Sequence, residues 1–358
     1  MPKKTLFRSS LKHIRHVWQG SFVQHRRGTI SRANSQIRKK TKMALSKKFD
    51  FVDLFAGIGG MRLAFEAVGG QCVLTCEIDE AALTTYQANF NPKHPHTYVR
   101  DIKDAKKLPK HDVLVAGFPC QPYSIAGLRK GLKDARGQVF LEIIRILKSS
   151  KPQAFLLENV KGMRSHDGGR TFEYMREQLE SCGYYIQDET LNSAVHANVP
   201  QNRERVFVVG FRDKEMAKNF KFPEPIRLTK TIKSFISKSV TDNRYFYDSR
   251  FDCFTDIKKV VTSPDTVYQW RRKYVRENKS NVCPALTANM GSGGHNVPLI
   301  RVDTKIRKLT PRECAKFQGF PNNFVLPEIS DSKLYHQFGN SVTVPLIERI
   351  AAAMTEVM

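Results

Sequence analysis

Between residues 49 and 211 the chain alternates short apolar runs rich in Val, Leu and Phe with amphipathic stretches, and Gly or Pro marks many of the junctions. This alternation predicts strands over 51–55, 71–77, 112–116, 153–158, 184–191 and 205–211, with a further short one near 98–100. Helices are expected over 61–68, 81–89, 139–148 and 172–181. Strands separated by helices pair in parallel, because each crossover returns the chain to the same end of the sheet. The expected fold class is therefore α/β, a doubly wound parallel sheet covered by helices on both faces. After Phe222-Pro223-Glu224-Pro225 the pattern gives way to short polar, aromatic and basic stretches without strand–helix alternation, so a second, smaller domain begins there.

Charge narrows the partners. The 358 residues include 59 Lys and Arg against 34 Asp and Glu, a formal charge of +25 that suits a polyanion, nucleic acid first. Fourteen of those cations and no acid fall in residues 1–48, leaving +11 on a remainder that is still basic. Residues 1–48 show no sustained period and read as a basic, disordered extension. Met43 with Ala44-Leu45-Ser46 would make a natural start just ahead of the first strand. A mis-assigned upstream start is thus the first reading of the extension, a nucleic-acid arm the second and an organelle transit peptide the third. No apolar run approaches membrane-spanning length. Seven cysteines, odd in number and irregularly spaced, fit free thiols in a reducing, cytoplasmic compartment, and Cys72 and Cys76 lack the second pair a zinc site needs.

Four segments carry chemistry. Gly117-Phe118-Pro119-Cys120-Gln121-Pro122-Tyr123 follows a strand and holds Cys120 on a Pro-flanked turn at a sheet edge. Such a thiol is a candidate nucleophile, although a free cysteine is more often a small buried hydrophobe. Asp53-Leu54-Phe55-Ala56-Gly57-Ile58-Gly59-Gly60 leads from a strand into a helix, and its glycines permit a tight turn close to a nucleotide-like ligand. It lacks the dinucleotide spacing, and no triphosphate loop occurs in the chain. Glu77, ending the second strand, could accept both hydroxyls of a ribose, and Asp101 could face an adenine amino group. Glu158 ends an apolar strand, where desolvation would raise its pKa and let it hold a proton; a satisfied carboxylate is the competing reading. Arg203 and Arg205 alternate ahead of the last strand, so both point to one side and suit a carbonyl oxygen or a phosphate.

In their order and spacing these motifs resemble the DNA (cytosine-5) methyltransferase family of bacterial restriction-modification systems, the HhaI type, over residues 49–358. Residues 307–314 with 318–321 look like the family's ninth motif, and Gly339-Asn340-Ser341-Val342 looks like its tenth. The resemblance implies a Rossmann-like S-adenosylmethionine-dependent methyltransferase fold over 49–225, a target-recognition domain over 226–334 and a C-terminal segment, 335–358, that returns beside the first strand. It also implies that Cys120 adds to carbon 6 of a flipped-out cytosine, Glu158 bonds ring N3, Arg205 holds the O2 carbonyl and Arg203 orders the site. The implied cofactor contacts are Phe55, Ile58, Gly60, Glu77, Ile78, Asp101, Ile102, Gly117, Pro119, Asn340 and Ser341. Ile78 and Ala126 stand where some relatives carry Trp and Ser. Residues 124–137 resemble a mobile lid over the flipped base. Ser124, Gln269, Arg271, Arg272 and Arg276 are the DNA-contacting candidates, and residues 291–294 resemble a phosphate-tracking loop.

The implied partners are double-stranded DNA with a short specific site, bound by a monomer, and a cognate restriction endonuclease. A tRNA cytosine methyltransferase is the nearest rival, because that subgroup carries a Cys-Phe-Thr signature and Cys253-Phe254-Thr255 occurs here, without its continuation. A catalytically silent DNA-binding regulator is the other, and intact Cys120, Glu158, Arg203 and Arg205 oppose it.

Overall fold

Two sheets organise the protein, as seen in a computed structural model that describes residues 49–92, 94–119, 137–271, 273–278, 281–290 and 297–358. The larger is built from β1 (Phe49–Leu54), β2 (Gly70–Cys76), β3 (Thr97–Val99), β4 (Val113–Gly117), β5 (Ala154–Val160), β6 (Tyr185–Asn192) and β8 (Glu204–Phe211) in the order β3-β2-β1-β4-β5-β8-β6. Helices α1 (Gly60–Ala67), α2 (Glu80–Asn89), α3 (Gly137–Ser150) and α4 (Arg170–Glu180) lie between its strands in the chain. The first five strands are mutually parallel, whereas β8 runs antiparallel to both β5 and β6.

That reversal corrects the all-parallel expectation. The chain between β6 and β8 contains only α5 (Ser193–His196) and β7 (Gln201–Asn202), too little for a crossover helix, so β8 returns beside β6. After β8 comes one short helix, α6 (Lys214–Asn219).

Strand residues alternate between two buried faces. Phe51, Val113, Val115, Leu156 and Val209 pack with Met61, Ala64 and Phe65 of α1, and with Ile347, Ile350 and Met354 of the last helix. Val52, Leu54, Leu114 and Leu157 pack with Phe140, Ile143 and Leu147 of α3 and Met175 and Leu179 of α4. Burial on both faces explains why these strands read as nearly continuous apolar runs.

The smaller sheet is antiparallel, with β9 (Phe246–Tyr247), β10 (Tyr268–Trp270), β11 (Val275–Glu277), β13 (Pro298–Val302) and β14 (Lys305–Lys308) in the order β11-β10-β13-β14-β9. Helix α7 (Phe254–Val260) supplies Ile257 to its own apolar cluster with Tyr268, Leu299 and Ile306. The other face of this sheet sends Val267, Val297 and Ile300 into the main core. Strand β12 (Cys283–Pro284) pairs in parallel with β7, a second tie between the two halves. Helices α8 (Pro311–Phe317), α9 (Asp331–Asn340) and α10 (Val344–Val357) complete the chain, and α10 packs against α1.

Among the described residues no helix is long and apolar enough to cross a membrane, no cluster of side chains suits a metal ion, and the six described cysteines are free thiols.

Candidate active site

The C-terminal ends of β1, β2, β4 and β5 surround a cavity of about 340 Å³. Open α/β sheets bind ligands at this end, where helices diverge from the strands. Its first wall is the turn after β1. Phe55 sits at φ 55° and Gly57 at φ 55°, so the chain bends sharply before α1 starts at Gly60. A side chain at Gly60 would press on Val342 and Ser341, so a larger residue there would separate this turn from the C-terminal segment.

Glu77 forms the second wall. Its Oε2 accepts the Gly57 backbone N–H at 2.7 Å and its Oε1 accepts that of Asp79 at 2.7 Å. Burial raises its pKa while those backbone donors pull it down. Each oxygen keeps a lone pair for a ligand hydroxyl. Asp79 caps α2 by accepting the Ala82 N–H at 2.7 Å, which sets the direction of the helix leaving this wall. Ile78 beside it is 64% exposed, an apolar side chain left open at the cavity edge.

At the far side, Glu158 and Arg205 meet across the β5–β8 pair with Arg205 Nε 3.0 Å from Glu158 Oε1. Burial raises the Glu158 pKa, against the opposing pull of Arg205 and then Arg203. Arg203 is buried behind them and donates to the carbonyl oxygens of Leu286 at 2.7 Å, Gly339 at 3.2 Å and Ser341. It thereby ties two distant segments, at 286 and at 339–341, to the end of β8. Its Nε has no partner among the described residues.

Nine of the expected cofactor residues line this one cavity: Phe55, Ile58, Gly60, Glu77, Ile78, Gly117, Pro119, Asn340 and Ser341. Glu158, Arg203 and Arg205 line it too. Asp101 and Ile102 do not; Asp101 accepts the Lys103 N–H to cap a 3₁₀ turn, and Ile102 is buried in the core beneath. Arg271, in the turn after β10, and Arg276, on β11, are exposed, but Gln269, opposite Arg276, is buried at 8% exposure. Cys120, Ser124, Ala126, Arg272 and the 291–294 loop lie outside the described residues.

Two contributors carried no individual role in the sequence reading. Asn159 donates from Nδ2 to the Phe118 carbonyl at 3.1 Å and accepts the Val160 N–H at 2.8 Å, tethering the turn that leads to Cys120. Its position directly after Glu158 was the available signal. His336 donates from Nδ1 to the Ala288 carbonyl at 3.0 Å and accepts from Asn340 Nδ2 at 3.0 Å, orienting the Asn340 amide. A histidine four residues ahead of Asn340 on a helix carried that information.

Strand order and the sheet-end cavity define a Rossmann-like α/β fold with its ligand site at the C-terminal ends of the strands. Residues 49–356 match the family model for C-5 cytosine-specific DNA methylases, and the chain belongs to that family. It is 51% identical over 302 residues to the type II methyltransferase M.Bsp6I of Bacillus sp. (strain RFL6), covering 83% of this chain and 96% of that one. With M.HhaI of Haemophilus parahaemolyticus it shares 36% identity over 309 residues, 84% of this chain and 92% of that one. The solved structure of the S. pombe Dnmt2 methyltransferase superposes with a TM-score of 0.64 over 87% of this chain and 99% of that one. At 18% identity, that likeness speaks for the fold alone. The protein is a DNA (cytosine-5) methyltransferase, of a family that depends on S-adenosylmethionine.

Proposed function

We propose that the chain methylates carbon 5 of one cytosine within a short specific duplex site, acting on a base flipped out of the helix. The observation that carries this reading is the convergence of the Glu77 wall and the Glu158–Arg205 pair on a single cavity. The donor set fits S-adenosylmethionine: a carboxylate with free lone pairs for ribose hydroxyls, apolar surfaces at Phe55, Ile58 and Ile78, and the Asn340 and Ser341 polar groups opposite. When bound, it supplies the methyl group that carbon 5 accepts.

The chain's own residues prepare the base. Cytosine carbon 5 is a poor nucleophile, so the Cys120 thiolate adds to carbon 6 and pushes electron density toward carbon 5. Glu158, held toward its protonated form by burial, donates to N3 as that charge develops. Arg205 binds the O2 carbonyl while keeping Glu158 in place. Loss of the carbon 5 proton to a base then expels the thiolate. A base inside a duplex is out of reach of such a cavity, which is why flipping is required. Arg271 and Arg276, both exposed, contact the DNA in this reading, and the buried Gln269 serves the sheet instead. We assign target recognition to residues 226–334, monomeric action, and a partnership with a cognate restriction endonuclease on the family's pattern.

The test is to incubate the purified protein with methyl-labelled S-adenosylmethionine and mixed-sequence duplex DNA and map the products by bisulfite sequencing. Methylcytosine confined to one short motif is expected, and Cys120→Ser should bind DNA without turnover. Label on tRNA alone, or undiminished methylation by Cys120→Ser, would overturn the scheme.

A further inference from the structure

Behind the glycine turn, four side chains form a hydrogen-bonded chain in which each proton is assigned by its neighbours. His96 Nδ1 lies 2.9 Å from the Cys72 carbonyl oxygen, which only accepts, so the ring proton sits on Nδ1 and Nε2 carries a lone pair. Nε2 is 3.0 Å from Thr75 Oγ1, so the threonine hydroxyl donates to it. Thr75 Oγ1 is 2.6 Å from the Tyr86 phenol, which therefore donates to Thr75. The Tyr86 oxygen in turn accepts from Arg62 Nη1 at 3.1 Å, and Arg62 is held by Glu66 at 2.6 Å. Neutral His96 thus sets the polarity of the whole chain.

This chain bears directly on the cofactor turn. A Cβ at Gly59 would collide with the Phe90 ring and come within 3.1 Å of the Tyr86 ring, so the turn's backbone rests on both rings. Ile58 and Gly60 on either side of it line the cavity, as does Ala82, one helical turn before Tyr86. A second proton on His96 turns Nε2 into a donor, and the hydroxyl of Thr75 must rotate away from it. Thr75 Oγ1 then accepts from both Nε2 and Tyr86, and its own hydrogen is left only the Cys72 sulfur, 3.7 Å away and a poor acceptor, so the Tyr86 bond is weakened.

We propose that His96 is a positioning residue for the cofactor site: neutral, it holds Tyr86 and through it the glycine turn, and protonation weakens that hold. The inference rests on the assignment of this cavity to S-adenosylmethionine. The groups facing the ring are Cys72 and Thr75 from β2, Arg62 from α1, Tyr86 from α2, His94 from the preceding loop and the Tyr98 ring from β3. Burial lowers the His96 pKa from its ordinary 6.5, the Cys72 carbonyl opposes that, and Arg62 and His94 add to the lowering. Cofactor binding selects the neutral ring, so affinity declines as pH falls through the His96 transition.

The experiment is calorimetric titration of the full chain with S-adenosylhomocysteine from about pH 5 to pH 8, using wild type, His96→Gln and Thr75→Val. Gln keeps an oxygen for Thr75 and an amide donor for the Cys72 carbonyl but does not titrate; Val has nearly the shape of Thr without its hydroxyl. Wild-type Kd should rise by up to about tenfold per pH unit below the transition. His96→Gln should hold its neutral-pH Kd throughout, and Thr75→Val should bind more weakly with no pH dependence. At saturating cofactor, kcat should follow one pH profile in wild type and His96→Gln. A flat wild-type Kd overturns the proposal without any variant, and so does the same decline in His96→Gln, which would assign it to Glu77, Glu158 or Asp53. Absence of binding at every pH would instead overturn the cofactor assignment of the cavity.

Discussion

Glu158 must keep a proton that its neighbours Arg205 and Arg203 tend to remove, and burial is what tips the balance. Glu158→Gln retains the shape but cannot transfer a proton to N3. Its kcat should fall about 100-fold or more, with cofactor affinity and melting temperature little changed, as steady-state assays and thermal denaturation would read. Asp53 is also raised by burial but lacks a partner: fully buried behind the glycine turn, with neither carboxylate oxygen hydrogen-bonded among the described residues, it has its pKa pushed up to about 8. An acid with a raised pKa in the folded state stabilises the fold least where the unfolded chain is already ionised. Its contribution is therefore complete below the ordinary 3.8 and lost as pH rises toward 8. Asp53→Asn should consequently gain stability over wild type, by a margin that widens between pH 4 and pH 8 in denaturant titrations.

Among elements, the junction of β14 with α8 is the most tightly specified. Arg307, wholly buried, donates to both Glu313 oxygens at 2.8 and 2.6 Å and to the Ser237 carbonyl at 2.7 Å. Glu313 also closes a capping box with Thr310 at the start of α8. One ion pair thus joins the small sheet, the helix behind it and the 237 loop. Arg307→Leu strands a buried carboxylate and should cost about 3–5 kcal/mol in chemical denaturation. The double variant Arg307→Leu/Glu313→Leu should recover part of that loss, because it removes the unpaired charge as well. The periodicity of the large sheet made its elements readable: observed strand ends differ from the expected ones by a residue or two, and α1 to α4 fall where the amphipathic stretches lie. The direction of β8 was not readable, since apolar strand residues look alike in either orientation and only the short connection from β6 decides.

At the scale of the molecule, the net charge of +25 is unevenly spread: residues 1–42 hold twelve of the Lys and Arg, while the family match begins at residue 49. A chain starting at Met43 should methylate the same bases at the same rate. It should also lose part of its salt-dependent, non-specific DNA affinity, measured as a shallower dependence of log K on log salt. The site draws on segments far apart in the chain, from Phe55 to Val342. Glu77 and Glu158 were legible as carboxylates at the ends of apolar strands, whereas Asn340 and Ser341 entered only through the resemblance to the family's tenth motif. Local sequence determined the alternation of elements, the motif residues and the chemistry they share. Only the tertiary structure decided that Arg203 would bind the Leu286, Gly339 and Ser341 carbonyls, that Gln269 would be buried, that Asp101 and Ile102 would stand off the cavity and that Asp53 would have no hydrogen-bond partner among the described residues. Motif and period are properties of neighbours along the chain. Burial and hydrogen-bond partners depend on which distant surfaces meet, and those form only when the sheets close on one another.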